Sequence, residues 1–70
     1  MTATIGVAVN GQPRQLPPGT SVAELIAIVT GTSTGLATAV NGEVIPRGSW
    51  PTTLLAEGDH VEVVTAVQGG

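Results

Sequence analysis

Apolar residues fall along the chain in three patterns. At the start, Ile5, Val7 and Val9 alternate with smaller residues, the period of a strand with one buried face. Asn10-Gly11 follows, a pair suited to a type I′ turn, in which both central residues need positive φ. Gln12 to Leu16 can return as a second strand, with Pro13 marking it as an edge. Pro17-Pro18-Gly19 breaks that strand. Thr20-Ser21 then offers an N-cap, and Ser21 with Glu24 three residues on forms a capping box. Val22, Leu25, Ile26 and Val29 make one apolar stripe at helical spacing, on a helix of about ten residues that Gly31 is placed to end.

A second hairpin follows, from Leu36–Val40 through Asn41-Gly42 to Glu43-Val44-Ile45, stopped by Pro46. Leu54 to Asp59 reads as a turn, and His60 to Val67 is dense in Val and Thr, as in a buried strand. A helix this short is marginal alone in water and must pack on the strands. The order is strand, strand, helix, strand, strand, strand. It predicts an α+β domain in which a mixed sheet of four or five strands covers one main helix. The domain is expected over residues 1–66, followed by a flexible tail over 67–70.

Composition narrows the function. The chain has 70 residues, 41% of them apolar and 10% charged, with Trp50 as its sole aromatic. That is too apolar for a disordered chain and too short for a deep substrate pocket, so a carrier, binding module or subunit is favoured over an enzyme. Cysteine is absent, which removes disulfides, thiolate metal sites and cysteine nucleophiles. Lysine is absent too, and Arg14 and Arg47 face five carboxylates for a net charge of −3. Such a chain lacks the basic clusters that bind nucleic acid or an anionic membrane, and a steered partner should present a basic face. Neither a signal peptide nor a membrane-length apolar run is visible, so the cytoplasm is the default location.

Several side chains invite chemistry. Trp50 reads as core packing, being the only large side chain available, rather than as a binding anchor. His60 has no nucleophile or paired carboxylate beside it and is expected to be exposed and without a chemical role. Arg47 is expected to serve locally after the turn or to pair with a carboxylate such as Glu43. Both Asn-Gly pairs read as turn chemistry alone. Thr30 to Gly35 lacks the lysine of a phosphate loop and follows no strand. The apolar side chains exceed what a thin, one-sided core would hold, which predicts an exposed apolar patch on the sheet near the tail.

The end of the chain is the informative part. Val67-Gln68-Gly69-Gly70 follows the last strand directly. Four extended residues reach about 14 Å, and two glycines are slim enough to thread a narrow channel. Three stretches carry a resemblance: Ala39 to Trp50 with its Pro-Arg-x-x-Trp, Leu55-Ala56-Glu57-Gly58-Asp59, and Val67-Gln68-Gly69-Gly70. The helix start Thr20 to Leu25 agrees as well. With them the chain resembles the ubiquitin-like β-grasp sulfur carriers, and among these the ThiS family of thiamine biosynthesis.

The resemblance implies a protein co-substrate rather than an enzyme, with no bound cofactor or metal. Gly70 would be the reactive group. An ATP-dependent adenylyltransferase similar to the ubiquitin-activating enzymes would adenylate its carboxylate. A persulfide sulfur donor would convert the adenylate to a thiocarboxylate, and thiazole synthase would take the sulfur. Gly69 would keep the tail slim, and Val67 and Gln68 would contact the partners. Two alternatives stay open. One is the small sulfur-carrier subunit of molybdopterin synthase, which usually carries Pro-Pro before its Gly-Gly. The other is a ubiquitin-like interaction module that never reacts.

Overall fold

The computed structural model describes residues 3–31 and 35–65. Strands β1 (Ile5–Val9) and β2 (Gln12–Leu16) form an antiparallel hairpin, followed by helix α1 (Val22–Thr30). Strands β3 (Leu36–Val40) and β4 (Glu43–Val44) form a second hairpin. A 3₁₀ segment, Arg47–Thr52, leads towards β5 (His60–Thr65). The sheet order is β2-β1-β5-β3-β4, so the last strand lies in the middle. It runs parallel to β1 and antiparallel to β3. This is the α+β, ubiquitin-like β-grasp arrangement, a mixed five-stranded sheet on one main helix.

Local chemistry makes the helix as its sequence predicts. The Ser21 hydroxyl accepts from Glu24 N at 3.1 Å, while Ser21 N donates to the Glu24 carboxylate at 2.8 Å. Two donors at the helix start are thereby satisfied reciprocally. Val22 N, another orphan of the first turn, donates to Thr53 O at 2.8 Å. Gly31 ends the helix in the left-handed region, and its N–H donates to Ala27 O at 3.1 Å. The stripe of Val22, Leu25 and Ile26 is buried against Val7, Val9, Leu16, Val61 and Val63 of the sheet.

Both hairpins turn as expected, with φ of 51° and 83° at Asn10-Gly11 and 52° and 85° at Asn41-Gly42. Three readings need correction. The last strand is buried on one face only: Val61 and Val63 face the core, whereas His60, Glu62, Val64 and Thr65 are exposed. Alternation along a strand forces this for His60, Glu62 and Val64, since only one side of the sheet has a helix to cover it, whereas Thr65 shares the face of Val61 and Val63 and is still exposed. Its expected continuation through Ala66 and Val67 lies outside the described residues. In the second hairpin the returning strand is only Glu43–Val44, although Ile45 N still donates to Thr38 O at 2.8 Å. The turn expected over 54–59 is confined to its second half. Leu54 instead bridges to Ser21, and Leu55 enters the core with its N–H on Thr20 O at 2.9 Å.

The 3₁₀ segment has no counterpart among the sequence expectations. Pro46 precedes it and Pro51 lies inside it, so an α-helix cannot continue there. It buries Trp50 to 3% exposure against the core. The indole N–H donates to Ile45 O at 2.9 Å, which gives the ring its polar partner. Trp50 is thus core packing, as its size suggests. The Arg47 guanidinium lies over the ring, 5.4 Å from its centroid, a cation–π contact that keeps this arginine local.

Candidate functional site

The residues expected to react or to contact partners, Val67, Gln68, Gly69 and Gly70, lie outside the described residues, as does the boundary at residue 66. What the structure does describe is β5, the strand that leads to them, and how firmly it is held. On one side, β3 pairs with it from Val40↔Val61 to Leu36↔Thr65. On the other, β1 pairs with it only at Ala8↔His60 and Val9↔Val61 before the chain turns away.

Side chains extend both ladders. Asn10 N donates to Val61 O at 2.9 Å, and then the Asn10 carboxamide takes the next rung. Its Nδ2 donates to Val63 O at 3.1 Å, and its Oδ1 accepts from Val63 N at 2.9 Å. One carboxamide thus replaces the backbone of a residue that has already turned out of the sheet. Asn41 does the same at the start of β5. Its Oδ1 accepts from His60 N at 2.9 Å, and its Nδ2 donates to the Asp59 carboxylate at 3.0 Å. Asp59 in turn accepts from Ala56 N at 2.8 Å, closing the 56–59 turn. Glu57 completes the set by accepting Gly6 N at 2.8 Å. Both asparagines therefore do more than permit their turns, which corrects the sequence reading. The missed signal was tertiary: an Asn at each hairpin tip matters only once β5 is known to lie between the hairpins.

The outer sheet face beside β5 carries the expected apolar patch. Val64 and Val44 are 57% and 72% exposed. With Ala37, Ala39, Thr38 and Glu62 they line a shallow depression of about 120 Å³. Val63-Val64 was the legible sign, because adjacent strand residues must face opposite sides and only one side is covered. His60 is exposed, and among the described residues no cluster of three metal-ligating side chains occurs. A second depression, between Pro17-Pro18-Gly19 and Glu24 and Ile28 of α1, lies on other elements. No helix among the described residues is long and apolar enough to cross a membrane.

Comparison with known proteins places this architecture. The model of the ThiS family matches residues 7–70. The sulfur carrier protein ThiS of Escherichia coli (strain K12) is 30% identical over 61 residues, 87% of this chain and 92% of the relative. A crystal structure of the thiamine biosynthesis protein ThiS from Geobacter metallireducens superposes with a TM-score of 0.81 at 29% identity, covering 94% of this chain and 100% of that one. An NMR structure of a thiamine biosynthesis protein from the same organism gives a TM-score of 0.74 at 27% identity, covering 94% of this chain and 88% of that one. A match that runs through the hairpins, the helix and β5 to the terminal Gly-Gly, on a shared fold, leaves one conclusion: the chain belongs to the ThiS family of sulfur carriers.

Proposed function

We propose that this protein carries sulfur on the main-chain carboxylate of Gly70 and delivers it for thiazole formation in thiamine biosynthesis. The observation that carries this reading is the family match, which extends through Gly69-Gly70 and not only over the folded part. In this reading residues 1–66 are the domain and 67–70 the reactive tail.

A carboxylate is a poor electrophile, so activation comes first. A Gly70 carboxylate oxygen attacks the α-phosphorus of ATP on a separate adenylyltransferase, pyrophosphate leaves, and a mixed anhydride with AMP forms. The terminal sulfur of a cysteine persulfide then attacks the activated carbonyl and expels AMP. A thiol cleaves the resulting acyl disulfide and leaves the thiocarboxylate. Dividing one difficult substitution into easier ones is the gain of a covalent route. The chain acts as a co-substrate in the cytoplasm, with thiazole synthase as the acceptor. ATP belongs to the activating enzyme. Composition supports the assignment, since a chain with no cysteine has no thiol of its own to hold the sulfur.

Gly69 keeps the tail slim enough for both partners' channels, and Val67 and Gln68 line the entry. The apolar patch of Val44 and Val64 lies on the sheet that ends in this tail and is where the adenylyltransferase seats. Glu62 lines the depression there and favours a basic rim on the enzyme.

The test is the intact mass after incubation with ATP, the activating enzyme and a persulfide donor, followed by a thiol alkylator. A gain equal to sulfur for oxygen, alkylatable in the same step, identifies a thiocarboxylate because no cysteine can imitate it. An unchanged mass with an enzyme active on a known carrier overturns the proposal.

A further inference from the structure

The two Asn-Gly turns share a sequence and a backbone, with φ of 51° and 52° at the asparagines. In this dipeptide the glycine nitrogen, with no Cβ to hinder it, can attack the preceding side-chain carboxamide. What differs is the hold on that carboxamide. For Asn10 to swing free, Val63 must lose partners for both its N–H and its C=O in a part-buried setting. Leaving such groups unpaired carries their full desolvation penalty. Asn41 holds His60 N and the Asp59 carboxylate, both contacts being exposed. Water takes over both partners when it leaves.

We propose that Asn41 is a site of spontaneous modification, a deamidation that the fold permits there and suppresses at Asn10. The Gly42 nitrogen bonds to the Asn41 side-chain carbonyl carbon, the bond to the amino group breaks, and ammonia leaves with the proton from the Gly42 amide. Water then opens the cyclic imide at either carbonyl, yielding aspartate or isoaspartate. The net reaction consumes one water and releases ammonia, with no change of oxidation state. In the aspartate product a carboxylate oxygen lies where an N–H donor stood 3.0 Å from the Asp59 carboxylate, and in isoaspartate the side-chain carbonyl becomes part of the main chain, so that donor is lost as well. Like charges at that separation repel. Asp59 also closes the 56–59 turn and accepts Ala8 N at 3.0 Å through its backbone carbonyl, so the modification loosens the start of β5.

The test incubates the full chain at mildly alkaline pH, native and in denaturant, and quantifies aspartate and isoaspartate at both positions by peptide mass. In denaturant the two sites react within about twofold of each other, whereas in the native chain Asn41 reacts at least about tenfold faster than Asn10. Equal or faster native reaction at Asn10 overturns the proposal. So does a native chain unreactive at both sites while the denatured chain converts. The structural consequence has its own test. Asn41→Asp melts below the parent, and adding Asp59→Asn, which restores an amide–carboxylate pair with the roles exchanged, recovers part of the loss. An Asn41→Asp variant that melts like the parent overturns that consequence.

Discussion

The two hairpins are built on the same turn and do opposite work. The β1–β2 hairpin pairs over five positions and sends Val7, Val9 and Leu16 into the core. The β3–β4 hairpin pairs β4 over two positions and leaves Val44 72% exposed. A type I′ turn sets the direction of the returning strand and says nothing of what that strand is worth. Here the first hairpin supplies cohesion, and the second supplies exposed sheet beside β5.

The sharpest way to break this contrast is to truncate one apolar side chain in each. Leu16→Ala should cost about 2–5 kcal/mol, because it empties a packed site, and much of the stability of so small a domain goes with it. Val44→Ala should stay within about 0.5 kcal/mol. Denaturant midpoints of the two variants decide. Similar losses would mean that the second hairpin is as integral as the first.

The asparagines give a finer comparison. Replacing each by glycine keeps the left-handed backbone accessible and removes the carboxamide, with the added backbone entropy of glycine common to both sites. Asn10→Gly should cost about 1–3 kcal/mol, since both Val63 backbone groups lose their partner, and Asn41→Gly less than about 1 kcal/mol. Equal costs by equilibrium unfolding would remove the distinction on which the difference in deamidation also rests.

One further effect has the opposite sign. Thr38 on β3 is 2% exposed, and its hydroxyl oxygen has no hydrogen-bond partner among the described residues. Thr38→Val should raise stability by about 1 kcal/mol, read as a higher melting midpoint, because an unpaired buried hydroxyl costs more than a methyl. A destabilised variant would show that the hydroxyl has a partner in solution.

These contrasts also mark what a sequence of this length makes legible. The turns, the capping box and the helix stop were readable because each is decided by residues within four positions of one another, as with Ser21 and Glu24. The sheet order was not written in any local pattern. Placing β5 between β1 and β3 depends on which strand covers the helix stripe best, and from that placement follow both carboxamide clamps. The Arg47–Thr52 segment was hidden because two turns of 3₁₀ helix, with Pro46 before them and Pro51 within, have no apolar period to read. Of the functional region, the tail was legible as a motif and the patch as a surplus of apolar residues. Val63-Val64 hinted at the patch, and Val44 joined Val64 only with the strand register.

The proposed carrier role requires a reactive residue, Gly70, that the fold itself does not need. Deleting Gly70 tests it most directly, with thermal melting and thiocarboxylate formation measured on the same preparation. An unchanged melting midpoint and loss of the alkylatable mass gain are expected. A deleted chain that still acquires sulfur at the parent's level, or one that no longer folds, would contradict it.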